Sequence, residues 1–180
     1  GTKFYDRREV RDALSYMRVV ANPADEVSVK RVLNVPKRGV GDTSVARIDE
    51  FARQEGISFI EAARRASEAG VSGRAARGVE SFCEVIDNAR EILLAEGDDG
   101  LTAGELLQHV LDASGYLTEL EEEDTVEAHG RIENLGELVG SAREFTRLEE
   151  FLEQVALVAD TDDLADDDRV GLMTLHSAKG

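Results

Sequence analysis

The chain has 180 residues, 42% of them hydrophobic and 33% charged, with only 2 prolines. That is enough apolar material for one packed domain, or one and a half, and too much for a disordered chain. The formal net charge of −17 argues against a chain that binds nucleic acid over its whole surface, since a phosphate backbone repels an acidic body.

The total hides an asymmetry. Residues 1–78 carry 15 Lys+Arg against 11 Asp+Glu, a balance of +4, and residues 79–180 carry 6 against 27, a balance of −21. One end could therefore meet a polyanion while the other stays away from it. No apolar run approaches the ~18 residues of a membrane helix, and Gly1 to Asp6 lack the regions of a signal peptide. A single cysteine excludes an internal disulfide framework and a zinc site built on several thiolates. The expectation is a soluble, cytoplasmic chain with no membrane partner.

Helical periodicity runs through most of the chain. Val10, Ala13, Leu14, Met17 and Val20 recur at helical spacing from Asp6 to Ala21, with Arg7, Arg11 and Arg18 close together on the flank. Arginine-rich flanks are common on solvated helices, and that is the reading preferred for this stripe. Asn22-Pro23 ends the helix, because the residue before proline is pushed out of the α region. Asp25 caps a short second helix through Val27 to Leu33.

A loop from Pro36 to Thr43 leads into a helix reaching Glu55, closed by Gly56. Ser58 and Glu61 form a capping box for a helix to Ala69, and Gly70 to Gly73 make a second glycine turn. The next helix, to about Ala95, has its core face on Val79, Phe82, Val85, Ile86, Ala89, Ile92 and Leu93. Gly97 to Gly100 breaks it. Thr102 and Glu105 form another capping box, for a helix that Gly115 stops. Tyr116 to Glu123 ends in an acidic cluster. Ile132 to Phe145 marks a further long helix, continued or replaced from Leu148 to Val158. Residues 160–169 form an acidic linker, and Val170 to Leu175 has the apolar density of a buried strand.

The most informative stretch is Lys37-Arg38-Gly39-Val40-Gly41-Asp42-Thr43 at the start of a helix. Two glycines let the backbone approach a partner, and the helix N-terminus behind them favours an anion. Lys37 and Arg38 add mobile charge, so the combination suits gripping a duplex phosphate without reading bases. A plain interhelical turn that needs glycine for positive φ fits the same residues. Gly73 and Arg74, with Arg77 and Gly78, are weaker candidates of the same kind.

Cys83 falls on the rim of its helix's apolar face, which suggests a solvent-reachable thiol able to bridge two copies under oxidising conditions. His109, His129 and His176 lack metal-ligand spacing, and residues 160–168 lack the glycine and glutamate of a calcium loop, so no metal site is expected. No GxxxxGK[ST] phosphate loop, catalytic triad or acid/base pair is present.

Several segments, taken in order, are similar to UvrD/PcrA-type superfamily 1 DNA helicases. Phe4-Tyr5-Asp6-Arg7-Arg8-Glu9-Val10-Arg11-Asp12-Ala13-Leu14 resembles the helix that follows motif IV in that family. Asn34-Val35-Pro36-Lys37-Arg38-Gly39-Val40-Gly41 resembles its N-x-P-x-R-G-[IV]-G segment. Gly73-Arg74-Ala75 and Arg131 to Leu138 follow the same order of landmarks, and Leu172 to Gly180 looks like motif V.

The resemblance implies an all-α fold with glycine-turn helix–loop–helix units: the helical 2B subdomain over residues 1–169. Residues 170–180 would begin motif V as a short C-terminal strand of the RecA-like 2A subdomain. It further implies a fragment of an ATP-dependent 3′→5′ helicase of DNA repair, such as nucleotide excision repair. This fragment would hold no cofactor; ATP and Mg²⁺ would belong to the parent enzyme. Lys37 to Thr43 would contact duplex DNA near its junction with single strand, with Gly73 and Arg74 as further contacts. Thr174 and His176 would face single-stranded DNA in the intact enzyme. Partners would be DNA, the remaining helicase subdomains and repair proteins. An alternative is an autoregulatory module that restrains the helicase and dimerises through 2B, with Cys83 as the bridging thiol.

Overall fold

Helix α1, Arg8–Ala21, is the centre of the computed structural model, which describes residues 3–95 and 101–161. Ten of its fourteen residues are buried, the apolar stripe together with Glu9, Asp12 and Ser15, while Arg8, Arg11 and Arg18 stay exposed. It follows a single 3₁₀ turn, Phe4–Asp6, and ends at Asn22, whose backbone is extended ahead of Pro23.

Around it pack α2 (Glu26–Val32), α5 (Gly73–Leu94), α6 (Ala103–Ala113) and α8 (Val126–Ala142). Helices α3 (Asp42–Glu55) and α4 (Phe59–Arg64) lie against each other at one end, with α4 joined to α5 and α2. Helix α7 (Tyr116–Glu123) bridges α6 and α8. A terminal helical stretch over residues 148–161 buries Leu148, Phe151 and Val155. One apolar core runs from Val10 to Val155, with Tyr16, Phe82, Phe151 and Met17 among its largest fully buried side chains.

Side-chain caps set four of the helix starts. Asp25 accepts from Ser28 N at α2, and Thr125 from Ala128 N at α8. Ser58–Glu61 and Thr102–Glu105 are complete reciprocal capping boxes at α4 and α6, as their spacing predicts. Helix α8 begins well before Ile132, because Asp124 takes a left-handed backbone and Thr125 supplies the cap. Helix α4 is shorter than expected: residues 65–70 are turns rather than helix.

The expected C-terminal strand is corrected. The described residues are helices, turns and bends with no strand among them, so the described fold is all-α. Residues 170–180, including Thr174 and His176, lie outside the described residues.

Buried polar contacts tie distant segments to α1. Glu9 Oε1 accepts from Asn134 Nδ2 at 2.8 Å, joining α1 to α8. Asp12 accepts from Arg31 Nε at 3.0 Å and from Tyr116 Oη at 2.7 Å, joining α1 to α2 and α7. Burial first, and then the carboxylate it faces, push the Tyr116 phenol upward, so its proton stays on as the donor. Glu9 and Asp12 belong to the arginine-rich N-terminal segment and Asn134 to the Arg131–Leu138 landmark. Two of the similar segments are therefore parts of one packing unit.

Candidate nucleic-acid interface

The loop between α2 and α3 is built around Asn34 and Arg38. Asn34 Oδ1 accepts from Arg38 N at 2.6 Å and from Val40 N at 3.1 Å. Those two amides are thus engaged within the protein, with Val40 buried between the two glycines. Gly39 has φ +79°, a left-handed conformation that places a backbone reversal between the two engaged amides.

Arg38 is placed otherwise than the sequence suggests. Its Nη1 donates to Val32 O, Leu33 O and Val35 O at 3.1, 3.0 and 3.3 Å. Its Nη2 donates to Tyr16 Oη at 2.7 Å and to Ser114 O at 3.3 Å. The guanidinium also lies 5.5 Å from the Phe82 ring centroid and 5.9 Å from that of Tyr16, within cation–π range. Tyr16 Oη donates in turn to Val35 O. Burial raises the Tyr16 phenol above its usual range, opposed by the Arg38 charge. Arg38 is therefore a clasp on the carbonyl end of α2 and not a mobile phosphate contact; that expectation is corrected.

The amides of Gly39, Gly41, Asp42, Thr43 and Ser44 have no hydrogen-bond acceptor among the described residues. Gly41 is the N-cap of α3 and supplies no side chain, so the first turn keeps its unsatisfied donors. A Cβ built on Gly41 would meet nothing within 4 Å. Lys37, Asp42 and Thr43 are exposed. Lys37 has no ion-pair or hydrogen-bond partner among the described residues, while Asp42 adds an acid in the first turn of α3.

The second glycine turn lies alongside. The N-cap of α5, Ser72, makes no side-chain cap bond, and Gly73 has φ +60° with open space around it. Arg74 covers Gly39: a Cβ there would come within 2.8 Å of Arg74 Cγ. Helix α5 approaches the loop so closely at Gly78 that a Cβ would overlap Arg38 O. Arg47 Nη1, from α3, donates to Gly70 O at 2.8 Å and ties the two turns together. Two uncapped helix starts, Lys37, and the exposed Arg74 and Arg77 thus share one end of the molecule. A partial positive charge at each helix start and mobile cations beside it suit an anion.

Sequence reasoning missed Asn34. Its signal is an asparagine two residues before a proline in a glycine loop, where a short amide side chain commonly accepts from nearby backbone N–H groups.

Cys83 is also corrected. It is 6% exposed, not at a solvent-reachable rim. It lines a depression of about 350 Å³ beside Arg64 and Asp87, whose bidentate ion pair of 2.7 and 2.6 Å joins α4 to α5. Burial pushes the thiol up to about 11, only partly opposed by Arg64.

No group of three or more His, Cys, Asp or Glu side chains among the described residues is placed to hold a metal ion. Among them, too, no helix is long and apolar enough to cross a membrane.

The model of the UvrD-like helicase C-terminal domain matches residues 1–72 and 74–180. The chain is 40% identical, over its whole length, to the ATP-dependent DNA helicase PcrA of Bacillus subtilis (strain 168). It is also 40% identical to those of Staphylococcus epidermidis and Staphylococcus aureus. It spans about a quarter of the length of these curated relatives, 25% in each case. A motif-bearing loop clasped by Asn34 and Arg38, a polar tie between two further motif segments and this end-to-end similarity agree on one conclusion: the chain belongs to the UvrD-like helicase C-terminal domain family.

Proposed function

We propose that this chain is the helical 2B portion of an ATP-dependent 3′→5′ DNA helicase that acts in DNA repair. Its task is to grip duplex DNA ahead of the fork through the paired glycine turns, and it regulates unwinding by changing orientation as a body. The observation that carries this reading is the row of amides at Gly39 and Gly41 to Ser44 without protein acceptors, beside Lys37 and the second uncapped start at Gly73 and Arg74. Backbone amides hold a phosphate without reading a base, which suits an enzyme that must travel along any sequence. The grip is narrower than the Lys37–Thr43 segment as a whole. The Arg38 and Val40 amides are taken by Asn34, and the Arg38 side chain points into the protein.

ATP and Mg²⁺ belong, on this reading, to other parts of the longer helicase, which would use this portion as its duplex clamp. Motif V residues Thr174 and His176 would contact single-stranded DNA there. The autoregulatory alternative rests on the acidic balance of residues 79–180, since buried Cys83 offers little thiolate for bridging copies.

The test is duplex binding by this chain at low salt, followed by fluorescence anisotropy across a salt series. Lys37→Ala should weaken binding equally for unrelated sequences and reduce the log–log salt slope by about 1. An unchanged slope together with altered self-association would instead favour the autoregulatory reading.

A further inference from the structure

A second cationic site lies apart from the glycine turns, between α1, α2 and the terminal helical stretch. A cavity of about 270 Å³ there is lined by Arg11, Ser15, Arg18, Ser28 and Arg31, with apolar walls that include Val155. In a chain of net charge −17, no carboxylate lines it. We propose that this cavity binds a phosphate group.

Three observations converge. Arg11 and Arg18 stand two turns apart on one face of α1, both exposed, and neither has an ion-pair or hydrogen-bond partner among the described residues. Arg31 uses Nε on Asp12 Oδ1 at 3.0 Å, which holds its guanidinium in place while Nη1 and Nη2 have no acceptor among the described residues. Ser15 lines the cavity, and its hydroxyl makes no hydrogen bond among the described residues. A hydroxyl that opens onto the cavity and makes no protein hydrogen bond is available to donate to an occupant.

Two acids next to lining residues in the sequence or bonded to them are engaged within the protein. Asp12 is shared by Arg31 and Tyr116, and Asp25 accepts from Ser28 N and Oγ at 3.2 and 2.8 Å. Three guanidinium groups and a neutral donor match a tetrahedral oxyanion, whose oxygens accept forked N–H pairs. The volume is at the small end for ligand pockets, which begin near roughly 300 Å³, so the occupant is a phosphate with little attached to it inside the cavity. The phosphate could be a phosphodiester of a DNA strand or a free phosphate monoester, and both present the same oxygens.

The test is NMR on the whole 180-residue chain, following backbone amides and arginine Nε–H groups during titration with inorganic phosphate. Saturable shifts should appear at Arg11, Ser15, Arg18 and Arg31, with a dissociation constant in the millimolar range. Combined Arg11→Gln and Arg18→Gln should weaken binding by about tenfold or more, and Ser15→Ala by about threefold. Both arginines are exposed, so the double variant should keep its fold, as circular dichroism would check.

A short duplex is then titrated into the Lys37→Ala variant. Shifts at the same four residues would identify a phosphodiester source. Their absence, with phosphate or glycerol phosphate still binding, would identify a monoester. Phosphate shifts that spread over the surface without saturating, or that survive the double arginine substitution, would overturn the site. Because Lys37→Ala removes only the glycine-turn cation, failure of the duplex grip and failure of this cavity are separable.

Discussion

Helices α4 and α6 begin under reciprocal capping boxes, whereas α3 and α5 begin at glycine turns with no side-chain cap. Both kinds of start face the same shortage of acceptors for their first amides. In the first, the chain supplies its own oxygens and gains about 1 kcal/mol for each cap. In the second it leaves the amides vacant and invests instead in the loop behind them, through Asn34, Arg38 and the close approach of Gly78. Closed starts serve the fold alone. Open starts on a heavily braced loop leave donors for a partner, and the bracing keeps those donors from collapsing onto the protein.

The comparison can be broken from the bracing side first. Gly78→Ala forces a methyl group into Arg38 O and should cost about 3 kcal/mol, read as a lower denaturant midpoint with little change in slope. Arg38→Met takes the guanidinium away from the carbonyls of Val32, Leu33, Val35 and Ser114, of which Val32 and Val35 keep other donors, and should cost about 2 kcal/mol. Duplex binding should fall with it only as the fold loosens, because no phosphate contact is removed.

Ser58→Ala or Thr102→Ala should each cost about 1 kcal/mol and leave DNA binding unchanged. Gly41→Ser sharpens the contrast most. Its φ of −90° and open surroundings accept a side chain, so stability should change by only a few tenths of a kcal/mol. The new hydroxyl would compete for the α3 amides, and duplex affinity should drop measurably by anisotropy. Equal affinity in Gly41→Ser would show that the open start is not the grip.

The smallest effect at neutral pH concerns Cys83. With the thiol raised from 9.0 to about 11, it should react slowly with a thiol reagent at pH 8. Folding favours the protonated thiol. Its contribution to stability is therefore complete below about pH 9 and is lost as pH rises through about 11. A pH series of denaturation midpoints for wild type and Cys83→Ala checks this.

Much of the architecture can be read from local chemistry. Both capping boxes, the Asp25 cap, the stop at Asn22 and the two glycine turns are set by residues within four positions of each other. The misreadings arose where distant segments decide. Arg38 reads as a solvated cation beside glycines, but one of its acceptors, Ser114 O, lies 76 residues away. Cys83 sits on the rim of a helical wheel, and no wheel shows that Arg64 and Asp87 pair beside it across α4 and α5. The glycine-turn candidates were visible as a segment. Which amides stay vacant became clear only once the Asn34 side chain was placed.

The polar tie between Glu9 and Asn134 and the Asp12 junction with Arg31 and Tyr116 have a mechanical consequence. They bolt α1 to α2, α7 and α8 at once. A load applied at residue 7 therefore cannot be absorbed by bending α1 away from its neighbours. Displacing α1 would break polar contacts to three other helices at once, so a load there is shared among all four.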